Sequence, residues 1–427
     1  MNNYPKFTVI IPQKNRAEYI GHTLKTCMIQ DYPNFEIIVS DDCSDDNSVE
    51  IIKDLAAIDK RIKLFAHQHH LGMHDNFEFA LNQVVSGYVL ALGGDDGLVP
   101  GCIWRMYEIL KNTKKELLTW RLAGFVYSEN DGGKNCLYVN RVKNGSIKIL
   151  KSEDFLNKIA DSFQYQINEC PMFYMKGVAS IELIKKVKRR TPDGSFYYCP
   201  TPDGYSGVVL AGEVEDYAYT DEPLTIGGTT TKSQGQNYMR NDEKSKKEAF
   251  EFFNDNARRT MHNELASQPY SPLTTLMTAD YLLTARDLPG WPGKFKMFKW
   301  ENLIKASFDC MANNTFASET LVRELHILRE ISIQHNMLDL FNKLYKNTIR
   351  KVPVGKDIRG LAITHSLRID GSEYSINNIY EASLVTKFLY EFSSKLTLKV
   401  FIKMIINSLN IVIQSRKKKR LVYPPID

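Results

Sequence analysis

Asp95 and Asp96 stand side by side in "LALGGDDGLVPG" (90–101), behind Gly93 and Gly94 and at the end of the apolar run 88–92. Adjacent carboxylates repel each other unless water, hydrogen bonds or a cation compensates. No lysine or arginine adjoins them in sequence. The stretch alone leaves two readings open: a divalent cation carrying a phosphate, or a solvated turn. A second acidic turn, "DDCSDDNS" (41–48), ends another apolar run, "FEIIVS" (35–40). Asp203, in "PTPDGYSG" behind Pro202, suits either helix capping or a carboxylate that accepts a proton. His67, His69, His70 and His74 crowd one strand end and turn. No cysteine or carboxylate completes a zinc pattern around them, so contact of His69 or His70 with a phosphate fits better.

The elements that must position these groups alternate regularly. "FTVIIP" (7–12) reads as a buried strand and "AEYIGHTLKTCMIQ" (17–30) as a helix. Strand 35–40, helix 49–59, strand 62–68, helix 76–86 and strand 88–93 complete the series. This alternation predicts an α/β domain with a largely parallel sheet. Ligands in such sheets bind beyond the carboxyl ends of the strands, where both acidic turns fall. Farther on, "KNGSIKIL" and "AYTDEPLTI" read as strands, and "TPDGSFYYCPTPDGYSG" as loop. "GGTTTKSQG" (227–235) reads as a flexible loop or a linker. From about Asn241 the pattern turns helical, which predicts two domains, 1–240 and 241–427.

Composition limits the partners. A net charge of +5 over 427 residues gives no general attraction to polyanions, so no nucleic-acid partner is expected. Seven scattered cysteines, without a C-x-x-C pair, argue against a disulfide framework and a thiolate zinc site. "MNNYPKFTVIIP" lacks the pattern of a secretory leader, and no apolar run is long enough to span a bilayer. A cytoplasmic location is the expectation. The last stretch departs from the average. From Lys395 onward there are eight basic residues and one acidic one. Leu398, Phe401, Ile402, Ile405, Ile406, Leu409, Val412 and Ile413 share one helical face before Arg416–Arg420. That pattern fits an interfacial helix on an anionic membrane surface, or equally a helix packed on its neighbour.

With these elements in place, the N-terminal half resembles the family 2 glycosyltransferases of GT-A fold. The resemblance rests on "FTVIIPQKN", "QDYPNFEIIVSDDCSDDNS" and "HLGMHDNFEFALNQVVSGYVLALGGDDGLVPG", and more weakly on "CPTPDGYSGVV" and "YTDEPLTIGG". It implies a nucleotide-binding role for Pro12, Asn15, Asp41, Asp42 and Gly72. Asp42 corresponds to the aspartate that accepts the imide N–H of uracil, and an ionised carboxylate, acceptor only, suits that edge. Asp45, Asp46 and Ser48 can stabilise the following helix, leaving Asp41 and Asp42 freer to bind. Asp95 corresponds to the direct ligand of Mg²⁺ or Mn²⁺. The first aspartate of the family's D-x-D is Gly93 here, so one carboxylate of the metal and ribose shell is missing. Mg²⁺ tolerates this when phosphates and water complete its sphere, and Asp96 would contact the ribose or support the shell.

The resemblance also implies a catalytic base on a loop that begins a helix. Asp203 is the first choice there, ahead of Glu215 and Asp216. The expected protein is a metal-dependent, inverting GT-A glycosyltransferase. It would take a sugar from a nucleotide-sugar donor, UDP-linked above others, to a hydroxyl of a glycan or lipid-linked acceptor, as in bacterial surface polysaccharide synthesis. It would work on the inner membrane face if the last helix binds there. Two rivals remain. A nucleotidyltransferase would carry a glycine-rich loop after the first strand, which "PQKNRAEY" lacks. A degenerate GT-A domain would bind glycan or nucleotide as a scaffold.

Overall fold

The structure, a computed structural model, describes residues 4–392 apart from 131–133, 141–145, 234–237, 239–241, 256–259, 269, 315, 348–360 and 364–365. The basic C-terminal stretch from Lys395 therefore lies outside the described residues.

The first half follows the expected alternation. Strands β1 (Phe7–Gln13), β2 (Phe35–Asp41), β3 (Ile62–Ala66) and β4 (Tyr88–Ala91) alternate with helices α1 (Ala17–Met28), α2 (Ser48–Ile58) and α3 (Met73–Asn82). All seven residues of β1 and of β2 are buried. This is why both read as unbroken apolar runs: strands covered on both faces show no alternation. The pairings β1–β2, β1–β4 and β2–β3 are parallel. Their register places Gln13 beside Asp41 and Ile10 beside Ala91. The four carboxyl ends thus open at one edge, and both acidic turns leave from it.

After the short strand β5 (Gly97–Leu98) and helix α4 (Cys102–Thr113) come β6 (Leu117–Trp120), β7 (Ala123–Val126), β8 (Cys136–Asn140) and β9 (Ile147–Lys151). Helix α5 (Ser152–Ser162), β10 (Gly177–Ser180), α6 (Ile181–Lys188), α7 (Pro202–Gly212), β11 (Asp216–Thr220) and β12 (Thr225–Thr229) follow. The main sheet has eight strands in the order β3-β2-β1-β4-β10-β6-β11-β9. Here β10 runs antiparallel to both of its neighbours. The run "AYTDEPLTI" is not one strand. It breaks at 221–224, so that β11 lies in the main sheet and β12 in a second one. Trp120 Nε1 donates to Thr225 Oγ1 at 2.6 Å, tying the two sheets together beneath the site.

The helical part comprises α8 (Glu243–Asp255), α9 (Thr274–Asp287), α10 (Trp300–Asn313), α11 (Ser318–Gln334) and α12 (Leu338–Asn347). The long helical pattern from 318 onward is interrupted at 335–337, where Asn336 takes φ of 58°. The division expected at residue 240 is not clean. Strands β13 (Leu361–Ile363) and β14 (Ser366–Asp370) extend the second sheet through β8, giving the order β13-β14-β8-β7-β12-β5. Helix α13 (Ile379–Phe392) then packs on α1, β5 and β12. Its Ile379 and Ala382 share a core with Tyr19, Phe125 and Ile226. Residues from the C-terminal third therefore complete the N-terminal unit.

Candidate active site

The turn after β1 and the turn after β2 are clasped together. Asn15, at φ of 54°, donates its N–H to Ser44 Oγ and accepts the Asp45 N–H at its side-chain oxygen. Asp46 accepts the Ala17 N–H at the start of α1 and the Ser48 N–H at the start of α2. Acidic stabilisation of helix starts thus falls to Asp46, as the sequence suggests. Asp41 is not the freer group expected. Its oxygens take the Ser44 N–H at 2.9 Å and the Ser44 hydroxyl at 2.7 Å, and Gln13 Nε2 also donates to it. Pro12 lies within β1, buried beside Ser40. Both residues build the floor of the site.

Asp42 is also buried, but it faces the turn before α3. It accepts the Leu71 N–H at 2.6 Å and the Gly72 N–H at 3.2 Å, one on each oxygen. His70 Nδ1 lies 2.8 Å away. A carboxylate has about four lone-pair sites, so acceptor capacity remains for a ligand N–H. Three of the four histidines have separate partners: His67 contacts Ser40 and His74 contacts Asp75, while His70 lies between Asp42 and Lys14.

The acidic pair divides its work. Asp96 accepts the Gly93 N–H at 2.7 Å and the Gly228 N–H at 2.9 Å, one on each oxygen. It pins the turn after β4 to β12. Burial and the neighbouring Asp95 carboxylate push Asp96 up to about 8, so the pair carries nearer one negative charge than two around neutral pH. Asp95 accepts the Thr230 hydroxyl at 3.1 Å, and Arg16 Nε stands 3.9 Å from the same oxygen. Backbone crowding explains the glycines. A Cβ on Gly228 would stand 2.0 Å from the Asp95 carbonyl oxygen. One on Gly93 would meet Tyr174 Oη at 2.7 Å, Asp96 Oδ2 at 2.9 Å and Asp95 Oδ1 at 3.0 Å.

The cations missing beside Asp95 in sequence arrive from elsewhere. Arg16 comes from the turn after β1. Its guanidinium donates to the Lys232 carbonyl at 2.9 Å, and Lys232 Nζ donates to the Asn15 carbonyl at 2.9 Å. Residues 230–233, expected as a flexible loop or linker, are fastened across the site by these bonds and by Thr230. Arg16 thus stands beside Asp95, with Lys232 held next to it against Asn15 and Asp46 and Lys14 against His70, a mixture of charges that suits a diphosphate carried with a cation.

Among the described residues, no group of three or more His, Cys, Asp and Glu side chains could hold a metal ion between them. Asp95 offers one carboxylate, which fits only an ion that brings its own ligands. Mg²⁺ or Mn²⁺ on a diphosphate is such an ion.

Asp203 opens α7, which Pro202 begins and Thr201 precedes as the N-cap. No hydrogen bond or ion pair reaches its half-buried carboxylate among the described residues, so it does not cap the helix. Burial alone raises its carboxyl to about 6. Its charge acts on the buried tyrosines Tyr165, Tyr197, Tyr270 and Tyr281, two of which belong to the helical part. A chain of contacts ties it to the acidic turn. The Asp203 carbonyl accepts the Ser206 hydroxyl at 2.5 Å, and Ser206 Oγ accepts the Phe173 N–H at 2.9 Å. Two residues on, the Met175 N–H donates to the Ala91 carbonyl at the end of β4. Tyr174, between them, is acted on by Asp96, Asp95 and Asp203. Asp216 pairs with Lys115, and Glu215, whose carbonyl accepts the Ser152 N–H, is exposed. Lys14, Arg16, Thr230, Lys232 and Tyr174 are residues of the candidate site that sequence reasoning missed. Only "PQKNR", directly after a strand, carried a signal for two of them.

Residues 8–165 match the family described as Glycosyl transferase family 2. Among curated proteins, GalNAc(5)-diNAcBac-PP-undecaprenol beta-1,3-glucosyltransferase of Campylobacter jejuni is 36% identical over 100 residues, 23% of this chain and 32% of that protein. The putative teichuronic acid biosynthesis glycosyltransferase TuaG of Bacillus subtilis is 33% identical over 97 residues, 22% of this chain and 38% of that protein. The chain thus spans about a third of the length of these relatives. Among solved structures, S. aureus TarS 1–349 in complex with UDP-GlcNAc aligns with a TM-score of 0.42 and 14% identity, over 82% of this chain and 95% of that one. The α/β architecture implied by the sequence, with a mainly parallel sheet flanked by helices and a helical C-terminal region, is the one observed.

Proposed function

We propose that this chain, whose residues 8–165 belong to glycosyl transferase family 2, is an inverting glycosyltransferase using a UDP-linked sugar and a divalent cation. The acceptor would be a hydroxyl of a glycan or lipid-linked oligosaccharide in bacterial surface polysaccharide synthesis. One observation carries the reading. The carboxylate of Asp203 has no hydrogen-bond partner among the described residues, and its backbone is tied through Ser206, Phe173 and Met175 to the strand that delivers Asp95. In this reading a proton acceptor and a diphosphate site share one edge of the sheet. The relatives named above, one of them acting on an undecaprenol-linked glycan by its name, support the acceptor class.

In this reading Asp42 receives the uracil imide N–H, while Arg16, Lys14 and Lys232 face the diphosphate. Mg²⁺ or Mn²⁺, held by Asp95 and the donor's phosphates, would neutralise charge on the leaving diphosphate. Asp203 takes the proton from the acceptor hydroxyl. The acceptor oxygen then bonds to the anomeric carbon as its bond to the diphosphate breaks, inverting that carbon and freeing UDP. The deciding experiment is a donor screen that follows UDP and GDP release with and without Mn²⁺. Release of neither from any donor would leave the scaffold reading.

Asp42→Ala should weaken UDP binding by roughly ten- to hundredfold, since a hydrogen bond to an ionised acceptor contributes about 1.5–3 kcal/mol. Titration calorimetry measures this directly, and an unchanged Kd would remove Asp42 from the base pocket.

Membrane attachment belongs to the same reading. Among the described residues no helix is long and apolar enough to cross a membrane. The amphipathic pattern from Leu398 and the basic run 416–420 would instead rest on the surface. Each basic residue there adds about 1 kcal/mol, so the chain should co-sediment with phosphatidylglycerol vesicles, less so at high salt. A chain ending at Ser394 should not. Equal sedimentation of the two would remove the membrane role.

A further inference from the structure

We propose that a cavity between residues 192–199 and the helical part binds a neutral saccharide, the portion of the acceptor that lies beyond the hydroxyl reacting at Asp203. The acceptor role rests on the reading of this chain as a glycosyltransferase; the binding does not.

The cavity has a volume of about 590 Å³, within the range of pockets that take small molecules. None of the donor-site residues lines it, yet two elements connect it to Asp203. Tyr198 and Cys199 on its wall run directly into Thr201, the N-cap of α7, and so into Asp203. Thr284 and Asp287, also on the wall, belong to α9, whose Tyr281 hydroxyl pairs with the Thr201 hydroxyl. Tyr281 packs on Gly204, the residue after Asp203, where a Cβ would stand 2.4 Å from its ring. Along the helix axis, Thr284 lies about 4.5 Å and Asp287 about 9 Å beyond Tyr281. A chain molecule with one end at Asp203 thus has the cavity within reach of its next units.

The wall selects its ligand by elimination. Asp193 and Asp287 set two carboxylates on it, which repel a phosphate or another acid. A metal ion fits no better: among the described residues no three His, Cys, Asp and Glu side chains come together to hold one, and Asp287 already answers to Arg286 and His262. An apolar ligand would cover the two acids, Asn263 and Thr284 without pairing them, at about 1–3 kcal/mol for each buried group. A neutral, hydroxyl-rich molecule remains. A saccharide offers O–H donors to the carboxylates and oxygen acceptors to the Asn263 amide and the Thr284 hydroxyl. The apolar face of a sugar ring suits the Tyr198 ring and the prolines Pro192 and Pro289. Several of these groups are fixed in advance. His262 Nδ1 accepts the Glu264 N–H at 3.2 Å and its Nε2 lies 2.8 Å from Asp287, while Asp193 accepts the Ser195 hydroxyl at 2.7 Å.

The test uses the full chain without UDP or Mn²⁺. NMR titrations would follow cellobiose, lactose, N,N′-diacetylchitobiose and, as the anionic probe, inorganic phosphate. Two variants change the exposed Asn263, with thermal melting as a check on the fold: Asn263→Ala removes the amide, and Asn263→Trp fills the cavity. The wild type should bind at least one disaccharide and no phosphate. Asn263→Ala should weaken that binding by about three- to tenfold, the range of one neutral hydrogen bond, and Asn263→Trp should abolish it while the Kd for UDP stays unchanged. Binding of none of the disaccharides, equal binding by wild type and both variants, or binding of phosphate in their place would overturn the proposal. A protein that binds a disaccharide in this cavity yet turns over no donor overturns instead the transferase reading, and with it only the acceptor role.

Discussion

Asp203→Asn should lower kcat by about 10²–10⁴-fold, the usual cost of removing a general base, while donor affinity barely moves. The same substitution should make the protein more stable at neutral pH. Burial raises the Asp203 carboxyl to about 6, above its unfolded range near 4, so the folded state binds that proton more tightly than the unfolded chain. Stability is therefore full at low pH and falls as pH rises from about 4 through about 6. At one pKa unit per about 1.4 kcal/mol, the ionised carboxylate costs on the order of 1–3 kcal/mol, and the amide removes the cost. Thermal melting at two pH values measures this. The variant should match the wild type near pH 4 and exceed it near pH 7.5. Activity moves the other way with pH: the base works only when ionised, so wild-type kcat should drop as pH falls below about 6. A variant that loses stability along with activity would show a structural residue instead. Loss of donor affinity alone would show a binding one.

Much of this site could be read from local pattern because its parts are set by strand ends. The runs 7–12, 35–40 and 88–92 are buried on both faces, and continuous apolar sequence signals that without any knowledge of partners. The acidic turns after them are legible for the same reason. What the sequence does not show is which distant segments return to those turns. Lys232 reaches the Asn15 carbonyl, and Thr230 reaches Asp95 across 135 positions. These contacts depend on β12 leaving the main sheet, whereas "AYTDEPLTI" reads as one strand until Trp120 and the second sheet are seen. Residues 361–392 are hidden likewise. Nothing in the local pattern of "SLRID" announces that it will pair with "CLYVN" some 230 residues earlier. Tyr174 looks like any aromatic in a loop until Gly93 is found to leave room for its hydroxyl. Asp41 shows the converse: its residue type and place are those of a ligand, yet Ser44 and Gln13 claim its oxygens.

Asp95→Asn should abolish transfer, by at least about 10³-fold, and leave the fold intact. The amide is close in shape and can still accept the Thr230 hydroxyl, so the loop from β12 keeps its anchor. What it loses is the negative charge that Asp95 would offer to a cation. Asp96 does not replace it, because its oxygens are bound to the Gly93 and Gly228 N–H groups, and moving them would release the turn from β12. Removing one of two like charges relieves repulsion, so the melting temperature should hold or rise slightly. Three measurements separate the possibilities. Product release by the variant tests the chemistry, and wild-type activity in excess chelator tests the cation. Calorimetry of UDP with and without Mn²⁺ should show the metal strengthening UDP binding to the wild type and having no effect on the variant. Full activity of Asp95→Asn, or wild-type turnover unaffected by chelator, would remove the cation from the site. The acidic pair would then be a structural clamp between β4 and β12, and the charge facing the diphosphate would be Arg16, Lys14 and Lys232 alone.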